Sequence, residues 1–507
     1  MNRRTSTMKK SKILNAFLSL FLLALLSPSE GYAQNDNINL LSLDDVIYVA
    51  QEQSPDALIA KHRFRSSYWE FKSFKADYLP ALTLDGTVPE YNRGIDAVQQ
   101  PDGSYEFKPV DQGGANAGLS LSQRIGPTGG KISLNSRLAY FDNITGTPQD
   151  QPFAAEIINV RYDQPLFQYN NFRWDKHIEP MKYEMAKRSY LEDVEQVAIL
   201  ATNYFFNLLQ AQIDLQISVK NMFNYDTLYR IAKGRYQLGK IAENELLQLE
   251  LNYLKAEAAV EQAELEFENN LFRLKSYLRI KDDVLIELIP PKVEQFFTID
   301  AGKALDEAQY NSSTALDFEK RRLQAQSQVN LAKMMGRFDA DLSATFGLAA
   351  QGATIQGAYT QPDDARQMSL GFRLPILDWG SAHGQIKLAE SQEELVITSV
   401  EQEEIDFKQS IYLEVMQFNM QENQLRIAAK ADTVAQKRFD VTQRRYMIGQ
   451  VNDVLELNNA QIDNDNALKG YYMALRSYYR NYYQIRKQTL YDFEMDMPLL
   501  FDINDIM

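Results

Sequence analysis

Hydrophobic and polar positions alternate with a period of two in six short segments of the chain. These segments are residues 82–88, 119–125, 132–140, 157–163, 342–348 and 370–374. Successive side chains of a strand point to opposite faces, so this period predicts strands with one apolar and one polar face. The first four lie in the first half of the chain and the last two in the second half.

A different pattern, without Gly or Pro, predicts two very long helices. Residues 385–448 contain neither residue type, and about 64 helical residues would form a rod of about 95 Å. The stretch ends in Arg-Tyr-x-x-Gly at Gly449, and a near-copy ends in the same motif at Gly239. Basic residues in the last turn followed by Gly are typical of a helix C-terminus. Helices of this length do not fit inside one globular core.

The two long helices belong to an internal repeat. One constant shift of about 210 positions pairs Pro165 with Pro375 and Arg235 with Arg445. Upstream, residues 50–58 and 308–316 both read A-Q-x-x-S-x-x-A-L. Each copy therefore has the order shorter helix, strands, long helix, reverse turn and second helix. In the first copy the shorter helix is predicted over residues 43–75, with Ser42 as its N-cap.

The first residues have the pattern of a secretory signal. Basic residues precede an apolar run at 13–26, and small residues follow at 31–33. A run of about 14 residues is shorter than the ~20 that span a bilayer. We therefore expect a signal peptide at 1–33 and Sec export, without a lipid anchor because the chain has no Cys. The expected units are repeat 1 at 34–283, a linker at 284–298, repeat 2 at 299–490 and a C-terminal tail at 491–507.

Composition excludes several classes of function. The 507 residues carry a formal net charge of −15, which argues against nucleic acid as a partner. Without Cys there are no disulfides, thiolate metal sites or Cys nucleophiles. The three His (His62, His177 and His383) lack the spacing of a metal site or a catalytic triad. Residues 126–131 resemble a phosphate loop but are predicted to be a hairpin turn. We expect no enzyme activity, cofactor or metal.

The alternating strands allow two interpretations. In a soluble sandwich their apolar faces would cover a core. Aromatic residues cluster toward the strand ends, however, and the connections at 91–116 and 352–367 are long and polar, which is typical of an outer-membrane barrel. A sheet that spans lipid must close, because lipid cannot pair its backbone groups. Closed membrane barrels have at least about eight strands, so several copies of this chain would share one barrel.

The repeat, the step from strand to long helix at Pro165 and Pro375, and the Arg-Tyr-x-x-Gly turn followed by the acidic segment 453–456 resemble the TolC family of outer-membrane efflux proteins. The resemblance covers residues 43 to about 490. It implies a mainly α protein with membrane β structure, in which two structural repeats per protomer form a TolC-like α/β-barrel. In a homotrimer, each protomer would give four strands to a twelve-stranded outer-membrane β-barrel, continued by a long periplasmic α-helical barrel.

The resemblance also implies a function and partners. The protein would be the exit duct of a tripartite efflux or type I secretion system, located in the outer membrane and extending into the periplasm. Its partners would be a periplasmic adaptor (membrane-fusion) protein, an inner-membrane transporter of RND, ABC or MFS type, and outer-membrane lipid. The first repeat holds two strand segments beyond the family's four, and we expect 132–140 and 157–163 to be the pair that enters the bilayer.

The resemblance places the candidate sites at the helix tips. Asp453 and Glu456 occupy the acidic gate positions, where a trimer would form rings of three carboxylates that favour cations. They would alternatively be solvated acids that the helix dipole favours in a first turn. The expected adaptor contacts are at the two tips: Leu238, Gly239, Lys240, Ile448, Gly449 and Gln450.

One alternative function remains open from the sequence. The long helices would also suit a periplasmic coiled-coil structural or adaptor protein. Such a protein would not require strands with an apolar face of the kind that contacts a membrane.

Overall fold

The computed structural model describes residues 39–507 with the exception of 101, 145–149, 282–283, 285, 294–295, 449, 451–453, 502, 504–505 and 507. The predicted signal peptide lies outside the described residues. The first half contains β1 (Asn39–Leu41), α1 (Leu43–Gln53), α2 (Pro55–Ala76), β2 (Ala81–Gln99), β3 (Tyr105–Ile125), β4 (Gly130–Asn143), β5 (Phe153–Leu166), α3 (Asn171–Gln237) and α4 (Glu243–Leu278). The second contains β6 (Ile286–Leu288), α5 (Ala301–Asn311), α6 (Ser313–Met335), β7 (Asp339–Gly352), β8 (Asp363–Arg373), α7 (Ser381–Met447), α8 (Val454–Thr489), β9 (Tyr491–Asp492) and β10 (Met497–Pro498).

The helices of the two halves match in length. The long helices α3 and α7 have 67 residues each, and the returning helices α4 and α8 have 36 each. At 1.5 Å per residue, each long helix extends about 100 Å. The two long helices predicted from the sequence are confirmed, and α3 continues through Pro180.

The opening helix differs from its prediction. Ser42 is its N-cap as expected, with Asp45 completing a capping box. The single helix predicted over 43–75 is wrong, however, because it is broken at Ser54. The Ser54 amide donates to the Ala50 carbonyl at 3.0 Å, and its hydroxyl accepts from the Ala57 amide at 3.2 Å. Ser54 thus ends α1 and begins α2, with Pro55 at the first helical position where it needs no amide partner.

The second repeat breaks at the corresponding Ser. The Ser312 amide donates to Ala308 at 3.1 Å and its hydroxyl accepts from Ala315 at 3.2 Å. The repeated motif A-Q-x-x-S-x-x-A-L therefore encodes a helix break with a buried Ser cap. In both copies the Ala amide, three residues after the Ser, donates the capping hydrogen bond to the Ser hydroxyl.

All six predicted strand segments lie in one antiparallel sheet. The strand order is β2-β3-β4-β5-β7-β8, so β5 of the first half pairs with β7 of the second. The two segments that the first repeat holds beyond the family's four, at 82–88 and 119–125, are confirmed as strands and lie in β2 and β3 of this sheet. The expected long connection at 91–116 is wrong, because most of it forms the paired upper halves of β2 and β3. Its Gly, Pro and polar residues hide the alternation, but the backbone still pairs in register. The hairpin turn at 126–131 is confirmed.

The sheet has one apolar and one polar face. A row of apolar side chains crosses five strands at Leu82, Leu121, Leu134, Val160 and Phe346. The opposite face carries ion pairs, including Arg161 with Asp163 and Arg373 with Asp339. Each side chain of the apolar row is more than a third exposed. Among the described residues, no layer covers the row.

The largest core lies at mid-height of the long helices. It joins the opening helix α1, the middle of α3, the end of α4, β6, α5, and parts of α7 and α8. Tyr478, Tyr482 and Tyr483 of α8 are buried there. The short parallel pair β1–β6 attaches to α3 through Gln212, whose side chain bonds the Leu288 backbone. This core therefore joins helices of both repeats.

Candidate pore aperture at the helix tips

The two helix tips have the same backbone design. In the first, the Lys240 amide donates to the Arg235 carbonyl at 2.8 Å, and in the second the Gln450 amide donates to Arg445 at 3.0 Å. Gly239 takes a positive φ of 67°, where a Cβ would be strained. The repeated Arg-Tyr-x-x-Gly motif therefore encodes a helix end closed by its own backbone.

A small apolar core, here called the tip cluster, lies directly behind both tips. Its buried members come from all four hairpin helices: Leu228, Ala232, Leu249, Phe439, Tyr446, Val454, Leu457 and Ala460. This cluster is separate from the main core of the molecule.

Arg235 bridges the two tips. Its guanidinium donates to the carbonyl oxygens of Tyr446 at 3.1 Å and Met447 at 2.9 Å, at the C-terminus of α7. The same group lies over the Tyr446 ring, 5.3 Å from its centroid. The last carbonyls of a helix lack intrahelical partners and carry partial negative charge, so a cation there is doubly favourable. One side chain of the first hairpin thus caps the long helix of the second.

Tyr446 is the buried partner in this contact. Its side chain is 1% exposed, and its hydroxyl has no hydrogen-bond partner among the described residues. Burial raises the pKa of Tyr446, the nearby Arg235 opposes this rise, and the Glu245 carboxylate adds to it. The ring therefore stays neutral at physiological pH and serves as an apolar surface and π partner for Arg235.

Glu245 and Glu456 are each the third residue of the helix that follows a tip. One carboxylate oxygen of Glu245 is buried without a hydrogen-bond partner. Burial of an unpartnered carboxylate oxygen costs free energy, so this arrangement makes the packed state of the tips less stable than apolar residues would. Each hairpin therefore carries an acid in the first turn of its returning helix.

The predicted site residues lie at this end of the molecule as far as the structure describes them. Leu238 and Ile448 are 75% and 67% exposed, and Lys240 and Gln450 are also exposed. Glu456 is half-buried in the first turn of α8. Asp453 and Gly449 lie outside the described residues. The contact of Arg235 with α7 shows that the two tips are neighbours.

Three residues of this region were missed from the sequence: Arg235, Tyr446 and Glu245. Arg235 and Tyr446 belong to the repeated turn motif, which predicted only a helix end. The motif is symmetric in sequence, yet Arg235 crosses to the other hairpin, whereas Arg445 is exposed and has no such contact in the described structure. No pattern in the sequence distinguished Glu245 from the other acids of its helix.

The described residues contain no group of three or more potential metal ligands. Among these residues, no helix is both long and apolar enough to cross a bilayer. Charged side chains on the polar face of the sheet form ion pairs with one another. Asp85, for example, pairs with Arg137 at 3.5 Å.

Comparison with solved structures identifies the fold. The chain is similar to the CmeC outer membrane channel of Campylobacter jejuni, with a TM-score of 0.63, 16% identity, and coverage of 91% of this chain and 88% of that one. It is also similar to a membrane protein from Pseudomonas aeruginosa (TM-score 0.63, 12% identity, 88% and 90% coverage). The outer membrane protein VceC of Vibrio cholerae gives a TM-score of 0.61 at 12% identity, with 90% and 97% coverage.

No protein-family model and no curated protein sequence matches the chain. The likeness therefore lies in the fold, with little sequence identity. It confirms, at the level of the fold, the resemblance to TolC-family outer-membrane channels that the sequence predicted.

Proposed function

We propose that this chain is one protomer of a trimeric outer-membrane channel, the exit duct of a tripartite efflux or type I secretion system. The sheet would lie in the outer membrane, and the paired helices would extend through the periplasm. An adaptor protein would meet the helix tips and connect the channel to an inner-membrane transporter. The channel fold shared with CmeC and VceC supports this proposal.

The observation that carries the proposal is the uncovered apolar face of the sheet. Leu84, Leu370 and Phe372 are 75%, 60% and 72% exposed, and exposing large apolar side chains to water costs free energy. A contiguous exposed apolar face marks a surface that contacts another apolar phase. Lipid on this face and water on the polar face fit a channel wall.

Aromatic residues where the sheet meets the helices support the same orientation. The Phe338 ring lies 5.8 Å from Phe167 and 6.2 Å from Phe372. Trp379, in the step between β8 and α7, is 90% exposed. Aromatic side chains of this kind are favoured at the boundary between lipid and water. This end of the sheet would face the periplasm, because the helices begin there.

In this proposal the tips form the narrowest part of the duct. Asp453 and Glu456 would be the acidic gate residues. Leu238, Gly239, Lys240, Ile448, Gly449 and Gln450 would be the residues that contact the adaptor. The exposed Leu238 and Ile448 are apolar side chains at equivalent positions of the two tips. With two tips in each of three copies, a trimer would present six such apolar side chains to its adaptors.

Single-channel recording in planar bilayers tests the gate. We expect wild-type channels to favour cations, and Asp453→Ala and Glu456→Ala each to lower that selectivity, because each removes a ring of negative charge. Glu257→Gln, an exposed position in the middle of α4, is the control and should leave selectivity unchanged. If both gate variants conduct like wild type, the gate assignment is wrong. If the purified protein forms no channels, the proposed function is wrong.

A further inference from the structure

The sheet has two open edges. Within the described chain, β2 pairs only with β3 and β8 pairs only with β7. The outer backbone groups of β2 and β8 therefore lack strand partners. Lipid offers no hydrogen bonds to such groups, so a sheet embedded in a membrane must pair both edges.

The hairpin formed by β2 and β3 is a continuous part of the sheet. Fourteen residues of β3, from Gln112 to Ile125, pair one by one with β4 without a register shift. The apolar row also extends without interruption through Leu121 and Leu82. A separate appendage would show neither property.

The polar face binds the hairpin to the sheet as well. Arg137 of β4 reaches across β3 to Asp85 of β2. It passes over Gly118, where an added Cβ would lie 3.4 Å from the Arg137 Nε atom. Gly118 thus leaves the space for a guanidinium that links strands two positions apart. On the polar face, β2 is therefore linked to β4 as well as paired with β3.

The two open edges match each other. β8 has 11 residues, and β2 offers a shorter straight segment, from Ala81 to Thr87, before the irregularity between Thr87 and Glu90. β2 runs away from the helices and β8 runs toward them, so the two edges of neighbouring copies meet in antiparallel orientation. Leu82 and Leu84 on one edge and Leu370 and Phe372 on the other would then continue the apolar face.

The strands are also staggered as a closed barrel requires. One row of paired residues begins at Ala81, the first residue of β2, and reaches Thr345 and Gln367. These last two residues lie six positions from the helix-side ends of β7 and β8. Such a shift shows strands tilted relative to the edge of the sheet, and tilt with stagger is the geometry of barrel closure.

We propose that β2 of each copy pairs with β8 of the next, and that three copies close an eighteen-stranded barrel. This inference rests on the proposed function and replaces the twelve strands that the family resemblance implied. Barrel diameter grows roughly linearly with strand number, so the outer section would be about one and a half times as wide as a twelve-stranded one. In a barrel of this width, the narrowest part of the channel would lie at the helix tips, and the tips would select the cargo.

Disulfide cross-linking tests the pairing directly, because the natural chain has no Cys. The double variant Leu84→Cys with Leu370→Cys places two thiols on facing apolar positions of neighbouring copies. Leu82→Cys with Leu370→Cys and Leu84→Cys with Phe372→Cys cover shifts of two residues in register. Within one chain, five strand spacings of about 4.8 Å separate β2 from β8, which is too far for an intramolecular disulfide.

The control is the double variant Ile132→Cys with Leu370→Cys. Its two thiols would form a disulfide between neighbouring copies if only β4, β5, β7 and β8 formed the barrel wall. We expect at least one β2–β8 pair to give covalent trimers on non-reducing gels, and the β4–β8 pair to give none. Covalent trimers from Ile132 with Leu370 would overturn the eighteen-stranded barrel and leave the shared channel intact. A trimer that forms no β2–β8 link at any register would also overturn it. A monomer in detergent would overturn both proposals.

Discussion

At the scale of single residues, a few side chains decide how the two halves of the chain are held together. Ser54 and Ser312 break the opening helices at equivalent positions, and their spacing to Ala was visible in the sequence. The bridge made by Arg235 was not visible, because its partners are backbone carbonyls more than 200 positions away. Every residue has a backbone carbonyl, so the sequence does not show which carbonyl accepts a hydrogen bond. Long-range contacts of this kind are identified only from the folded structure.

Arg235→Ala is expected to loosen the tips. A hydrogen bond that involves a charged group contributes about 1.5–3 kcal/mol, so its loss shifts the balance toward separated tips by about ten- to a hundredfold. In single-channel recordings we expect more time in a state of larger conductance. Arg445→Ala is the matched control, since Arg445 occupies the same position of the other tip without this contact. Equal behaviour of the two variants would contradict the role of the bridge.

A buried ionic network couples Glu195 of α3 to the end of α8. The Glu195 carboxylate accepts from Arg486 at 3.0 Å, and Arg486 also pairs with Asp492 at 3.1 Å. Burial raises the pKa of Glu195 from 4.5 to about 7; Arg486 opposes this rise and Asp492 adds to it. Between these two pH values the folded protein holds a proton that the unfolded chain releases. The contribution of this carboxyl group to the free energy of unfolding is therefore fully present below pH 4.5 and is lost as the pH rises toward 7.

Glu195→Gln is expected to remove this pH dependence. A carboxamide stays neutral and can still accept from Arg486, so the variant should lose less stability than wild type as the pH rises from 5 to 8. Melting temperatures of the detergent-solubilised protein at these two pH values measure the effect. Glu257→Gln, at an exposed position, should retain the wild-type slope. A wild-type slope in Glu195→Gln would show that this carboxyl does not titrate as proposed.

At the scale of elements, the sequence predicted the long helices and all six strand segments, because strong periodicity survives without knowledge of the fold. It failed where periodicity is weak. The upper halves of β2 and β3 contain Gly94, Gly113, Gly114 and Pro109, which hide the alternation of their neighbours. These halves are nevertheless paired with each other from Arg93 with Asp111 to Gln99 with Tyr105. Cross-strand pairing, which no local pattern reveals, sets their structure.

Within the described residues, this upper part of the hairpin extends beyond the other strands of the sheet. Seven residue pairs lie beyond Gln112, where β4 ends its pairing with β3, and at about 3.4 Å per residue they extend about 24 Å. A peptide tag inserted between Asp102 and Gly103, in the turn at its end, should therefore bind antibody on intact cells. A tag between Lys240 and Ile241 at the helix tip should bind only after the outer membrane is opened. The reverse result would contradict the orientation of the molecule.

At the scale of the whole molecule, one chain supplies a wall that it cannot close. In the proposed channel, lipid would cover the apolar face and further copies would pair both edges of the sheet, while the mid-height core and the tip cluster are formed by residues of a single chain. Duplication explains the shape, since each repeat contributes one long hairpin of helices and its own strands. The extra β2–β3 hairpin breaks the symmetry of the two halves, and the family resemblance could not indicate whether it joins the wall.

The most direct test of the central claim is the migration of membrane-extracted protein on gels with and without heating. A wall shared by copies in lipid predicts that the protein is found in the outer-membrane fraction and runs as a trimer before boiling. Boiling should convert it to a single band near the 58.3 kDa of the full chain or slightly below. A protein that is found in the soluble periplasmic fraction and stays folded as a monomer without detergent would contradict the account.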